Sequence, residues 1–179
     1  MGQINPMNFK KDVSLSPYTT FKIGGPAEFF YEAGSVKEIV EAVIQAREAG
    51  LPITILGGGT NILIGDEGVR GLVIKNNTST ITIRGMKGKV EGGEAKGSVF
   101  VEVDSGVVFN KLVRFTVEEG LGGLEAHLGL PGTVGGAIFM NSKWTKAASK
   151  DAAQGIVTQN NRRRYFGTLS MPVTYVGDA

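Results

Sequence analysis

The sequence contains no cysteine and a single histidine among its 179 residues. The first absence excludes disulfides, thiolate-ligated metal and a thiol nucleophile, and the second excludes a histidine-rich metal site, so no metal is expected. No apolar run approaches the roughly 18 residues that span a bilayer, and Met1–Lys11 has no apolar signal core. A soluble, unexported, cytoplasmic protein without a membrane partner is the expectation. Charge of one sign is missing too. With 19 basic against 17 acidic side chains and a formal +2, nothing marks a surface for nucleic acid or another polyanion.

Glycine is what the chain has in excess: 27 residues, roughly twice the average usage of about 7%. They are dispersed, as turns and ligand loops are, and not gathered in a linker. Three adjoin in Leu56-Gly57-Gly58-Gly59-Thr60-Asn61-Ile62, after the β-branched run Ile53-Thr54-Ile55. Each costs more backbone entropy on folding than any other residue type. A loop without Cβ atoms lets successive N–H groups converge on one anion, and Thr60 and Asn61 add side-chain donors, so the run suits a diphosphate. The alternative is a tight strand-to-strand turn. A second cluster, Gly129-Leu130-Pro131-Gly132-Thr133-Val134-Gly135-Gly136-Ala137, leads into Ile138-Phe139-Met140-Asn141. Two such loops suggest one large ligand such as a dinucleotide. Neither G-x-G-x-x-G nor G-x-x-x-x-G-K-[ST] is present, which sets aside the Rossmann fingerprint and the P-loop.

The pattern along the chain predicts α+β architecture. Residues 1–15 read as a polar, flexible lead, 16–76 as a first lobe and 77–179 as a second. In the first lobe, Tyr18–Ile23 alternates as a strand and Phe29–Tyr31 as another. Ser35-Val36-Lys37-Glu38 has the form of a capping box, opening a helix on Val36, Ile39, Val40 and Val43 that Gly50 ends. Strands follow at Ile53–Leu56 and Leu72–Lys75. In the second lobe, Thr80–Arg84, Lys87–Glu91 and Ser98–Asp104 read as a meander of short strands. Val108–Glu119 reads as a helix with Val108, Leu112, Phe115 and Thr116 on one side and Gly120 as its stop. A short helix is expected to begin near Thr133–Gly136 with its N-terminus toward an anion. Arg162-Arg163-Arg164 reads as a solvated basic turn, and Met171–Val176 as a last strand.

Four segments in this order resemble the FAD-binding portion of the UDP-N-acetylenolpyruvoylglucosamine reductase (MurB) family. They are Thr19-Thr20-Phe21-Lys22-Ile23-Gly24-Gly25-Pro26-Ala27, Leu56–Asn61, Glu119-Gly120-Leu121-Gly122-Gly123-Leu124-Glu125, and Gly129–Ala137 followed by Met140-Asn141. The resemblance covers about residues 15–142 and implies a two-lobed FAD-binding PCMH-type fold, with FAD clamped between the lobes and the substrate domain absent from this sequence. It assigns Gly57, Gly58, Gly59, Thr60, Asn61 and Ile62 to the pyrophosphate. Ile23, Gly24, Gly106, Gly129, Pro131, Gly132, Thr133, Gly135, Gly136, Ala137 and Asn141 would line the rest of the flavin nucleotide.

The chemistry so implied is reduction of UDP-N-acetylglucosamine enolpyruvate to UDP-N-acetylmuramate in peptidoglycan synthesis. NADPH is the co-substrate, the hydride passes through the flavin, and a proton reaches the other carbon. In the family an Arg within F-x-Y-R-x-S polarises the substrate carboxylate, while a later Ser and Glu handle the proton. The nearest match here, Tyr165–Ser170, has Gly167 in the Arg position, and the Ser and Glu would belong to the substrate domain, so the catalytic residues stay unknown. A fragment of a longer enzyme, or a decayed version, is the expectation. Two alternatives stand beside it: a non-catalytic FAD-carrying module that needs a partner chain, and another oxidoreductase of this flavin fold. Thr60 stands where oxidases of the wider fold often carry a flavin-tethering His, so non-covalent FAD is expected. His127 is expected to be packed or hydrogen-bonded and not a general base, and Trp144 to bury area at an interface.

Overall fold

The structure, a computed structural model, describes residues 9–91, 94–140 and 169–176. The chain divides into two compact units, residues 1–78 and 79–179.

The first unit is a four-stranded sheet in the order β1-β2-β4-β3, built from β1 (Lys10–Ser14), β2 (Pro26–Ala33), β3 (Ile53–Leu56) and β4 (Val69–Asn76). β2 and β3 flank β4 in parallel, while β1 runs antiparallel to β2. Because side chains alternate across a strand, central β4 supplies both faces. Val73 joins Phe30, Ala27, Leu56, Leu15 and Ile64 on one face, whereas Leu72 and Ile74 pack with Ala33 and the helix residues Ile39, Ala42 and Ala46 on the other. That helix, α1 (Val36–Glu48), starts as its sequence requires. The Ser35 hydroxyl accepts from the Glu38 N–H at 3.2 Å, and the Glu38 carboxylate accepts from the Ser35 N–H at 3.3 Å. It ends with Gly50 at φ +68°, the Gly50 N–H donating to Arg47 O and the Leu51 N–H to Ala46 O at 2.8 Å. This pair of bonds is a Schellman motif.

Two expectations for this unit fail, for physical reasons. Lys10–Ser14, inside the expected flexible lead, forms β1; as an edge strand it carries Lys10, Lys11 and Asp12 in place of an apolar alternation, so period-two reading passes over it. Tyr18–Ile23 is not a strand. Ser16–Tyr18 makes a 3₁₀ turn, and the Thr19 hydroxyl donates to Ile23 O at 2.9 Å, a local side-chain bond that competes with strand pairing. Lys22 sits at φ +56° within this turn. β4 also runs longer than the expected Leu72–Lys75.

In the second unit, β5 (Ile81–Glu91), β6 (Glu94–Val103) and β7 (Leu169–Val176) form an antiparallel sheet in that order. The two short strands expected before Glu91 are one strand with a register shift between Ile83 and Gly85, a bulge that the glycine accommodates. Val99, Val101 and Val103 of β6 pack on Phe109, Leu112 and Val113 of α2 (Phe109–Glu118) and on Val134 of α3 (Val134–Met140). The buried stripe of α2 is Phe109, Leu112, Val113 and Thr116. Val108 is exposed at the N-cap and not on that stripe. α2 ends as α1 does: Gly120 has φ +68°, and the Leu121 N–H donates to Thr116 O at 2.7 Å. The mixed strand and helix content agrees with the α+β expectation. Among the described residues no helix is long and apolar enough to cross a membrane, and no group of three or more His, Cys, Asp or Glu is placed to hold a metal.

Replacing Ser35 with Ala removes one arm of the α1 capping box and should lower stability by about 1 kcal/mol. A urea unfolding midpoint that drops with unchanged slope checks this; an unchanged midpoint contradicts it.

Candidate flavin site

The first glycine loop leaves the end of β3 and lies against the Tyr18–Thr20 turn. The Thr20 N–H donates to Gly59 O at 3.0 Å, and the Gly25 N–H donates to Gly65 O at 3.0 Å. Gly59 is buried at φ +65°, and a Cβ there would overlap the Tyr18 carbonyl oxygen. At Gly24, φ +139°, a Cβ would lie 3.1 Å from Ile64 Cβ. These contacts bring Ile23 and Gly24 beside Gly57–Ile64, so this group of predicted residues forms one cluster.

Within the cluster the carbonyls of Gly57 and Gly59 are engaged, whereas the amides are not. Lys75 Nζ donates to Gly57 O at 2.6 Å, and Gly59 O accepts from Thr20. Among the described residues, the N–H groups of Gly57, Gly58, Gly59, Thr60, Asn61 and Ile62 donate to no partner. Gly58 and Asn61 are exposed. An amide run without partners is what an anion cradle needs, since bound phosphate oxygens would satisfy donors that the fold leaves open. The residues present therefore fit the diphosphate of a flavin nucleotide.

Beneath the loop lies a polar group that sequence reasoning missed. Lys75, near the end of β4, is half-buried, and burial pushes its ammonium below the ordinary lysine range, partly offset by the charge of Glu32 on β2. Glu32 accepts from the Tyr18 hydroxyl at 2.9 Å and from Asn77 Nδ2 at 3.1 Å. The Tyr18 phenol is in turn raised, by burial first and then by Glu32.

In the second unit, the second glycine loop is clipped to the turn before α2. Val108 and Thr133 form an antiparallel bridge. The Phe109 N–H donates to Gly132 O at 2.9 Å, the Val134 N–H to Val107 O at 2.9 Å and the Gly135 N–H to Ser105 O at 2.8 Å. These bonds set Gly106 beside Thr133–Gly135. At Gly135 a Cβ would lie 2.9 Å from Ser105 Cβ, which explains the small residue without a ligand. Gly129 and Gly132 sit at φ +93° and +104°, and the Gly129 N–H donates to Asn110 Oδ1 at 3.0 Å.

The short helix begins where expected, but its first amides do not stand open to an anion. Those of Val134 and Gly135 are bonded as above, that of Gly136 goes to Thr133 Oγ1 at 3.3 Å, and that of Ala137 to Thr133 O at 2.9 Å. Among the described residues, the loop amides left without an acceptor are those of Gly132 and Thr133. His127 packs edge-on to Phe109 with ring centroids 6.1 Å apart, and its Nδ1 is buried without a hydrogen-bond partner among the described residues. Asn141, Trp144, Arg162–Arg164 and Tyr165–Thr168 lie outside the described residues.

Gly59→Ala forces an L side chain into the left-handed region and against the Tyr18 carbonyl, so it should cost upwards of about 2 kcal/mol. Chemical denaturation measures it, and a loss below a few tenths of a kcal/mol would contradict the packing of the loop.

Residues 27–158 match the FAD binding domain family. The UDP-N-acetylenolpyruvoylglucosamine reductase of Rubrobacter xylanophilus is 44% identical over 133 residues, covering 74% of this chain and 41% of the relative. That of Treponema denticola is 39% identical over 143 residues, covering 79% and 42%. The crystal structure of UDP-N-acetylenolpyruvylglucosamine reductase (MurB) from Thermus caldophilus superposes with a TM-score of 0.54 at 33% identity, covering 76% of this chain and 43% of that one. The chain spans less than half the length of these relatives. With the family match spanning most of the sequence, the chain belongs to the FAD binding domain family and has the PCMH-type flavin fold.

Proposed function

We propose that this chain is the FAD-carrying portion of a UDP-N-acetylenolpyruvoylglucosamine reductase, acting in the cytoplasm in peptidoglycan precursor synthesis. The observation that carries the reading is the open amide run from Gly57 to Ile62, in a chain 44% identical to a reductase of that name. Gly57–Ile62 hold the diphosphate, with the Thr60 and Asn61 side chains as further donors. Ile23 and Gly24 border that contact. Gly106, Gly129, Pro131, Gly132, Thr133, Gly135, Gly136, Ala137 and Asn141 form a second set of flavin contacts, in which the Gly132 and Thr133 amides are the available donors.

When bound, FAD supplies the acceptance of a hydride from NADPH and its delivery to the enolpyruvyl double bond of the nucleotide-sugar substrate. The residues of this chain bind and orient the cofactor by main-chain donors, which need no ionisation of their own. The flavin is held without a covalent link, since Thr60 stands at the tethering position and the sequence has no cysteine. No residue of this chain is assigned a part in moving the substrate proton.

Titration of the chain with FAD, followed by flavin fluorescence, should saturate at one equivalent. Riboflavin, which lacks the diphosphate, should bind at least about ten-fold more weakly, as loss of several charge-assisted amide bonds requires. Equal affinity for the two flavins, or no uptake of FAD, contradicts the assignment of the first loop. Oxidation of NADPH dependent on UDP-N-acetylglucosamine enolpyruvate would support the reductase reading, and FAD binding without turnover would support the non-catalytic FAD-carrying module.

A further inference from the structure

A glycine loop gains adaptability from its missing side chains, but it must still present its amides in one direction. Each trans peptide is planar, with its carbonyl and the following N–H pointing oppositely, and the described residues contain no cis bond. Fixing a carbonyl therefore aims the next amide. In the first loop two carbonyls are fixed. Gly59 O is held by the Thr20 N–H, a backbone bond that directs the Thr60 N–H away from the Tyr18–Thr20 turn. Gly57 O is held by a side chain, Lys75 Nζ at 2.6 Å.

We propose that Lys75 is a positioning residue for cofactor binding: its ammonium clamps the Gly57 carbonyl from beneath the loop and so turns the Gly58 N–H outward toward the flavin diphosphate. This rests on the reading of Gly57–Ile62 as the diphosphate cradle. The sheet register makes the clamp possible, because Leu56 pairs with Lys75 in the parallel β3–β4 ladder. The first loop residue thus leaves its strand beside the lysine. Glu32, paired with Lys75 across β2–β4, keeps the half-buried cation in favourable surroundings, and its own oxygens are taken by Tyr18 and Asn77. The lysine is left to the loop. Its charge, close behind the open amides, also adds to the positive potential that a diphosphate meets. Gly58 has no side chain of its own to stabilise one peptide orientation, and for that reason a clamp at Gly57 matters.

Lys75→Met keeps the apolar stem out to the ε position but removes the ammonium, and with it the donor and the charge. FAD affinity should fall roughly ten-fold, the worth of one charge-assisted hydrogen bond, while riboflavin affinity stays within about two-fold because that flavin has no diphosphate. Lys75→Gln, one bond too short to reach the carbonyl, should share the loss if the Met variant does not fold. Lys75→Arg, which restores a cationic donor, should recover at least half of it on a logarithmic scale. Unchanged FAD affinity in a folded Met or Gln variant overturns the clamp and leaves the cradle standing. Equal losses for FAD and riboflavin overturn it as well, since they indicate general damage. Failure of the unsubstituted chain to bind FAD overturns the cradle itself, and the clamp with it.

Discussion

The first unit depends on a close approach between two pieces of backbone, the Tyr18–Thr20 turn and the loop that leaves β3 at Leu56. Only a residue without Cβ fits at position 59, because the Tyr18 carbonyl occupies the space a side chain would need. The bond from the Thr20 N–H to Gly59 O is made across that contact. The turn is in turn seated on the sheet, through Leu15 and Tyr18 against the Phe30–Val73 face. The sheet thus dictates the turn, the turn dictates the loop, and the loop leaves Gly58 and Asn61 exposed.

The two glycine clusters do different physical work, although they look alike in sequence. In Gly57–Ile62 the Gly57 and Gly59 carbonyls are bonded, and among the described residues the amides stay open. In Gly129–Ala137 the bonds run the other way: the amides of Gly129, Val134, Gly135, Gly136 and Ala137 are spent holding the loop to Asn110, to the turn before α2 and to its own helix. Small residues there serve close packing first, as the 2.9 Å approach of Gly135 to Ser105 illustrates. Gly132 and Thr133 keep the donors that remain.

Local signals are legible at the helix ends. Ser35 and Glu38 announce the start of α1, and Gly50 and Gly120 announce two helix ends, because capping is decided within a few residues. Edge and irregular elements are not. β1 carries charge where a strand pattern wants apolar residues, and Tyr18–Ile23 alternates by type while its Thr19 hydroxyl closes a turn instead. Val108 fits a helical spacing yet falls at the cap, so Phe109 and Val113 join Leu112 and Thr116 on the buried stripe in its place. At the site, the glycine run Gly57–Gly59 stands out in the sequence, with a tight turn as its alternative, and the family resemblance is what extends it to a diphosphate loop over Gly57–Ile62. Lys75 does not stand out, since its bond to Gly57 spans 18 positions and depends on the Leu56–Lys75 register. The one available signal was a cation closing the apolar run Leu72-Val73-Ile74.

The central claim is that the main-chain amides of the first glycine loop receive the phosphates of FAD. Amide-resolved nuclear magnetic resonance on nitrogen-15-labelled chain, recorded before and after addition of FAD, addresses it most directly. Large downfield proton shifts are expected at the Gly58, Thr60 and neighbouring loop amides, of the kind that hydrogen bonding to phosphate produces, with ADP shifting the same signals. Saturating FAD that leaves the amides of residues 57–62 unmoved would contradict it.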